Sequence, residues 1–159
     1  MYVCTIGTVI GAYESCINYL QSRQQFGVSL VSYQLIQDRC MTVLSHIQSM
    51  LLMCWRVSTL YDNSTHTLGQ IGLCKQYITR QSRVCLSLLR ECQGGNGLIT
   101  DYGVARAFVD IEGVHTFEGT ADINMMIAGR EFLNVSAFYV PKPVKNDDIK
   151  NKKKNIAKL

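Results

Sequence analysis

Proline is almost absent: the chain of 159 residues has two, Pro141 and Pro143, close together near its C-terminal end. Proline breaks a helix because it lacks an amide donor and its ring clashes with the preceding turn, so this pair marks where the ordered domain is expected to stop. Metal-ligand spacings are missing as well. Seven cysteines are scattered at positions 4, 16, 40, 54, 74, 85 and 92; their number is odd and no Cys-x-x-Cys occurs. No zinc pattern forms with His46, His66 and His115. Several cysteines fall at helical core spacing, where a thiol acts as a small apolar side chain, and they read as reduced structural thiols of an intracellular protein. No apolar run is long enough and free enough of charge to span a membrane. The apolar N-terminus has no Lys or Arg ahead of it and no clear small-residue cleavage site, so it does not read as a secretion signal. There is no internal repeat and no convincing strand alternation. The net charge is only +4, with most of the excess in Lys145 to Leu159. A nearly neutral body argues against a nucleic-acid-binding surface.

What is present is helical periodicity. Ile6, Ile10, Tyr13, Ile17 and Leu20 recur at spacings of four and three, one face of an amphipathic helix. Gln21 to Ser32 breaks the pattern, with Gly27 allowing a turn. The longest element follows: Ile36, Cys40, Val43, Ile47, Met50, Cys54, Val57 and Tyr61 keep the same alternation, widened by Leu44 and Leu51. It reads as a long bundle helix with a coiled-coil-like seam, with Trp55 at the seam's edge. Asp62-Asn63-Ser64-Thr65 is a loop signal. A third helix runs from about Leu68 to Cys92, with Ile71, Cys74, Ile78, Cys85 and Leu89 inward and Lys75, Arg80, Arg83 and Arg90 assigned to the solvated face. A short helix, Tyr102 to Ile111, turns Val104, Ala107 and Phe108 inward, and a last helix runs to about Val135. The fold class is all-α, an up-down bundle of about four main helices. Residues 1–140 form the bundle, and 141–159, rich in Lys and Asn, a disordered basic tail.

Two stretches carry chemistry. Gly94-Gly95-Asn96-Gly97 ends the third helix. It fits neither a dinucleotide fingerprint, since it follows a helix rather than a strand, nor a P-loop, since no Gly-Lys-Ser/Thr follows. Left-handed glycine is a common helix stop, and a bare backbone turn also presents amides to an anion. The second stretch is His115-Thr116-Phe117-Glu118-Gly119-Thr120-Ala121-Asp122. A carboxylate set against apolar surface loses solvation of its charged form and is poised to act as a general base. The plain alternative is a favourable charge at the positive end of the following helix. Gly119 allows close approach, and Thr120 or Asp122 is placed to cap that helix.

Phe117-Glu118-Gly119-Thr120, with Arg130-Glu131 and Ala137-Phe138, resembles the C-terminal catalytic segment of the acyl-CoA dehydrogenase and acyl-CoA oxidase family. Three further blocks agree in order and spacing: Arg23-Gln24-Gln25-Phe26-Gly27, Tyr33-Gln34-Leu35-Ile36-Gln37, and Gly94-Gly95-Asn96-Gly97 leading to Asp101-Tyr102. The likeness is strongest to the glutaryl-CoA dehydrogenase branch and its short-chain peroxisomal oxidases, and it covers roughly Cys4 to Phe138.

The resemblance implies FAD as cofactor and oxidation of an acyl-CoA to the trans-2-enoyl-CoA. It makes Glu118 the base, Phe117 standing where the family has Tyr. Gly119 and Arg130 would touch the acyl-CoA. Arg23, Gln34, Glu91, Cys92, Gln93, Gly94, Gly95, Thr120, Asp122 and Phe138 would contact FAD; an Arg suits a diphosphate because its charge is permanent and its donors are forked. Many relatives have Gln where Glu91 stands. Relatives carry an N-terminal helical domain and a middle β domain ahead of this bundle, so a longer parent chain is expected. The bundle also builds the family's dimer or tetramer, in which Arg23 and Gln34 serve a neighbour's FAD. The alternative is a non-catalytic helical module that keeps only the oligomerising faces. The final Ala157-Lys158-Leu159 resembles the Ser-Lys-Leu peroxisomal address and implies an import receptor as partner; mitochondrion or cytoplasm is the alternative location.

Overall fold

The computed structural model describes residues 2–134. Phe138, the Lys-rich tail and Ala157-Lys158-Leu159 lie outside the described residues. Five α-helices dominate: α1 (Tyr2–Ser22), α2 (Gln34–Asp62), α3 (Leu68–Cys92), α4 (Val104–Thr116) and α5 (Ala121–Leu133). A hairpin of two-residue strands, β1 (Gln24–Gln25) and β2 (Val28–Ser29), separates α1 from α2. Each strand is too short to show alternation. Its tip needs two left-handed residues, and Phe26 (φ 53°) and Gly27 (φ 80°) supply them.

α3 is central, packed against each of the other four helices. It starts with a capping box: Thr67 Oγ1 accepts from the Gln70 amide at 3.2 Å, and Gln70 Oε1 accepts from the Thr67 amide at 3.0 Å. On α2 the expected seam is buried from Cys40 through Val43, Ile47, Met50 and Cys54 to Val57. Its first residue, Ile36, packs at the core's margin, but its last, Tyr61, is 63% exposed, and Trp55 and Leu51, expected at its edge, are 70% and 41% exposed. On α1 the buried arc is rotated from the expected one. Ile6, Val9, Cys16 and Leu20 are fully covered, while Ile10, Tyr13 and Ile17 pack at the margin. The cause is that α1 packs against α2, α3 and α4 together, so its covered arc is wider than a single stripe. Six of the seven cysteines are buried as free thiols and Cys4 is exposed.

The close pairing of α3 with α5 brings the Glu118 turn against the core. Two glycines on α3 permit it: a Cβ on Gly72 would sit 2.7 Å from the Asn124 carbonyl oxygen, and one on Gly69 would meet the Glu131 carboxylate at 2.7 Å. Glu131 in turn accepts from the Gly69 amide at 2.8 Å and from the Thr67 hydroxyl, tying the end of α5 to the start of α3.

Lys75 corrects the expected charge row on α3. It is 2% exposed, in the inward stripe between Ile71 and Ile78, while Arg80 and Arg83 do face outward. A buried ammonium is tolerated only when its hydrogen bonds are met, and here they are: Lys75 Nζ donates to the carbonyls of Phe117 and Gly119.

Candidate active site

Glu118 lies in the four-residue turn between α4 and α5. Phe117 ends α4 with extended backbone (φ −78°, ψ 164°), and Glu118 (φ 54°) and Gly119 (φ 87°) are then both left-handed. A side chain other than hydrogen at 119 would be strained and would press on Asn124 Nδ2, 3.0 Å from the position of its Cβ. Thr120 begins α5 and accepts from the Ile123 amide at 3.3 Å. Of the two capping candidates Thr120 is therefore the cap, and Asp122 is instead paired with Arg80 at 3.0 Å. Asn124 folds back to donate to the Gly119 carbonyl at 2.8 Å and the Thr120 carbonyl at 3.0 Å.

The Glu118 side chain stands exposed at the apex, beside a cleft of about 310 Å³ lined by Cys4, Thr5 and Thr8 of α1 with Val114 and Phe117. The apolar enclosure expected around the carboxyl is not built by these residues, since Phe117 is itself 45% exposed. The turn sits at the end of α4, where helix contacts cover only its backbone side.

A second cleft, of about 390 Å³, gathers Arg23 from the end of α1 with Glu91, Cys92, Gln93, Gly94 and Gly95 from the end of α3. Six positions that the sequence distributes over two distant blocks thus meet at one place. Gly94 (φ 58°) makes the left-handed helix stop, and a Cβ on Gly95 would meet nothing within 4 Å, so the backbone there is open to approach. Glu91 would oppose an anion, but it is paired with Arg39 at 3.5 Å. Gln93 is 3% exposed, and its Nε2 and Oε1 have no partner among the described residues. A permanent cation, an open glycine backbone, a neutralised acid and an unpaired buried amide fit one side of a diphosphate-bearing cofactor. Gln34 is exposed at the start of α2, outside the cleft lining, although its neighbours Leu30 and Ile36 belong to it. Arg130 is near the far end of α5, in a separate cleft with Leu68, Ile127 and Glu131, and is not brought to the Glu118 turn.

Two residues escaped the sequence reading. Lys75 is the first. The second is His115, which lines a cleft of about 640 Å³ with Arg80, Arg83, Phe108, Glu112 and Asp122. Its Nδ1 is buried without a partner among the described residues. Burial, then the Arg83 charge, holds the imidazole below its ordinary value of 6.5. The unfolded chain therefore binds a proton on His115 more readily than the folded one, and stability is lost as pH falls from 6.5 towards the folded-state value. His115→Gln is expected to remove that part of the acid sensitivity, so its urea midpoint between about pH 7.5 and about pH 5 should fall less than that of the parent chain.

One all-α bundle thus carries two separate features, the glycine-ended α3 beside Arg23 and a single carboxylate on the turn between α4 and α5. The model of the acyl-CoA dehydrogenase C-terminal domain matches residues 1–133, and the chain belongs to that family. Subunit CarC of the caffeyl-CoA reductase-Etf complex of Acetobacterium woodii is 24% identical over 123 residues, 77% of this chain and 32% of that protein. Glutaryl-CoA dehydrogenase from Mycobacterium smegmatis superposes with a TM-score of 0.81 at 24% identity, over 85% of this chain and 35% of that one; a glutaryl-CoA dehydrogenase from the same organism in complex with FADH2 gives 0.80 at 26% identity over the same shares. Butyryl-CoA dehydrogenase from Megasphaera elsdenii gives 0.78 at 20% identity, over 81% of this chain and 34% of that one. The chain spans about a third of the length of the relatives it matches.

Proposed function

We propose that this chain is the catalytic C-terminal part of an FAD-dependent enzyme that oxidises an acyl-CoA to the trans-2-enoyl-CoA, with Glu118 as the base. The observation that carries the reading is the Glu118 turn itself: two successive left-handed residues, held from behind by Lys75 and Asn124, present one carboxylate beside a cleft. A backbone held in a sparsely populated conformation by its surroundings is a common device for fixing a reacting group. Glu118 takes the proton next to the thioester carbonyl. Gly119, without a side chain, leaves room for the acyl thioester. Arg23, Gln93 and the backbone of Gly94 and Gly95 would hold the diphosphate end of FAD, with Glu91 turned to Arg39. When bound, FAD supplies the acceptor for the hydride that leaves the neighbouring carbon. Enclosure of the Glu118 carboxyl falls to surfaces outside this chain, in keeping with its third-length match to the relatives. Membership of the glutaryl-CoA dehydrogenase branch, and self-association that lends Arg23 to a neighbour's FAD, belong to the same reading.

A second reading, a helical interaction module without catalysis, is favoured by one feature: Met41, Leu52 and Trp55 are 55%, 62% and 70% exposed along α2. Acyl-CoA, FAD and a dye acceptor added to the purified chain separate the two. Dye reduction is expected under the first reading; none with FAD supplied sinks it for this chain as it stands and leaves the second.

A further inference from the structure

We propose that Lys75 is the positioning residue of the Glu118 turn: its buried ammonium clamps the carbonyls on either side of Glu118, at Phe117 and Gly119, and so sets the direction in which the carboxylate points. The catalytic consequence rests on the reading of Glu118 as base; the clamp does not.

Lys75 is placed by α3, the most enclosed helix, where its stem runs in the inward stripe and only its head reaches the turn. Phe117 is the residue that follows α4, and its extended backbone takes its carbonyl out of the helical ladder and leaves it to find a partner elsewhere. A cation there satisfies that carbonyl and lies near the negative end of the α4 dipole. The same Nζ reaches the Gly119 carbonyl across the turn and lies 5.7 Å from the centre of the Phe117 ring. One atom thus holds the residues before and after Glu118 and the ring beside it. Asn124, 8% exposed, is the second anchor, but its amide reaches Gly119 and Thr120 only, on the α5 side. On the α4 side the Phe117 amide donates to the Gly113 carbonyl at 2.9 Å, and Lys75 is the side chain that holds the Phe117 carbonyl.

Burial lowers the affinity of Lys75 for its proton, and the charge of Glu118 acts in the opposite sense. Side-chain freedom at Glu118 is large because it is exposed; backbone direction is what the protein controls, and that direction is fixed by the two carbonyls Lys75 holds. A left-handed Glu next to a left-handed Gly persists only where its surroundings over-determine it.

The test uses the 159-residue chain and compares Lys75→Met, which keeps the stem and removes the donors, with Lys75→Arg and Glu118→Gln. Amide exchange at the hydrogen-bonded shoulders of the turn, Phe117 (to the Gly113 carbonyl) and Asn124 (to the Thr120 carbonyl), is expected to speed up by about tenfold or more in Lys75→Met, the size of one lost charge-assisted hydrogen bond. Exchange in α2 should hold its rate, and Lys75→Arg should recover part of the protection. Should Lys75→Met not fold, Lys75→Gln, which keeps a neutral donor, is measured for the same acceleration. In the dye assay, Lys75→Met is expected to lower kcat with KM changed by less than about twofold, because it misdirects the base without touching the ligand. Unchanged exchange at the turn overturns the clamp, and accelerated exchange with kcat intact overturns the positioning role. Accelerated exchange with no turnover in any variant, the parent included, supports the clamp and sinks the reading of Glu118 as base.

Discussion

Gly97→Ala is expected to be among the most damaging single substitutions in the bundle, lowering stability by about 2–3 kcal/mol or more. Gly97 is buried, and the methyl group would lie 2.2 Å from the Arg90 carbonyl oxygen and 3.0 Å from its carbon. Both are backbone atoms of α3, so no side chain can swing aside, and the end of the helix or the loop has to move. That loop also holds Asn96, whose amide donates to the Tyr19 hydroxyl at 2.9 Å and ties the loop to α1. The strain would therefore spread to the cleft shared by Arg23 and Gln93. Gly95→Ala is the control, since its Cβ would meet nothing within 4 Å; its stability should stay within about 0.5 kcal/mol of the parent. Urea midpoints of the two variants check the pair. Equal midpoints would mean that the approach of Gly97 to Arg90 is relaxed in solution.

How much of this was legible in advance differs from element to element. The α2 seam was, because Cys40, Val43, Ile47, Met50, Cys54 and Val57 repeat one spacing, and that periodicity needs only one neighbouring surface to be satisfied. α1 was legible as a helix but not in its exact face, because three partners share its surface. Lys75 was misread although its position showed in the spacing: it falls four residues after Ile71 and three before Ile78. A lysine is ordinarily solvated, and the carbonyls that make burial of this amine tolerable are 42 and 44 residues away. Distant pairings of this kind, like Glu131 with the Gly69 amide across 62 residues, follow from how the helices sit and not from any local pattern. The Arg23 cleft was reachable only through the family resemblance, since nothing local links residue 23 to residues 91–95. The same resemblance led to the Glu118 turn but not to its exposure, which depends on what else is folded against it.

Glu118→Gln should then produce the largest kinetic effect of any change, a fall in kcat of roughly 100- to 10,000-fold if the chain turns over acyl-CoA with FAD supplied. Gln has nearly the shape of Glu and lacks the basic oxygen, so binding should persist and KM should move little. Stability should stay within about 0.5 kcal/mol of the parent, because the Glu118 side chain is exposed and the bonds that hold the turn come from Lys75 and Asn124 to backbone carbonyls. A loss of turnover with an unchanged urea midpoint thus reports chemistry and not folding. Retained turnover would require another base, and the nearest acid along the chain is poorly suited. Asp122 is already held by Arg80 at 3.0 Å and lies in a different cleft from Glu118. Glu118→Gln with activity intact would therefore move the search for the base off this turn altogether.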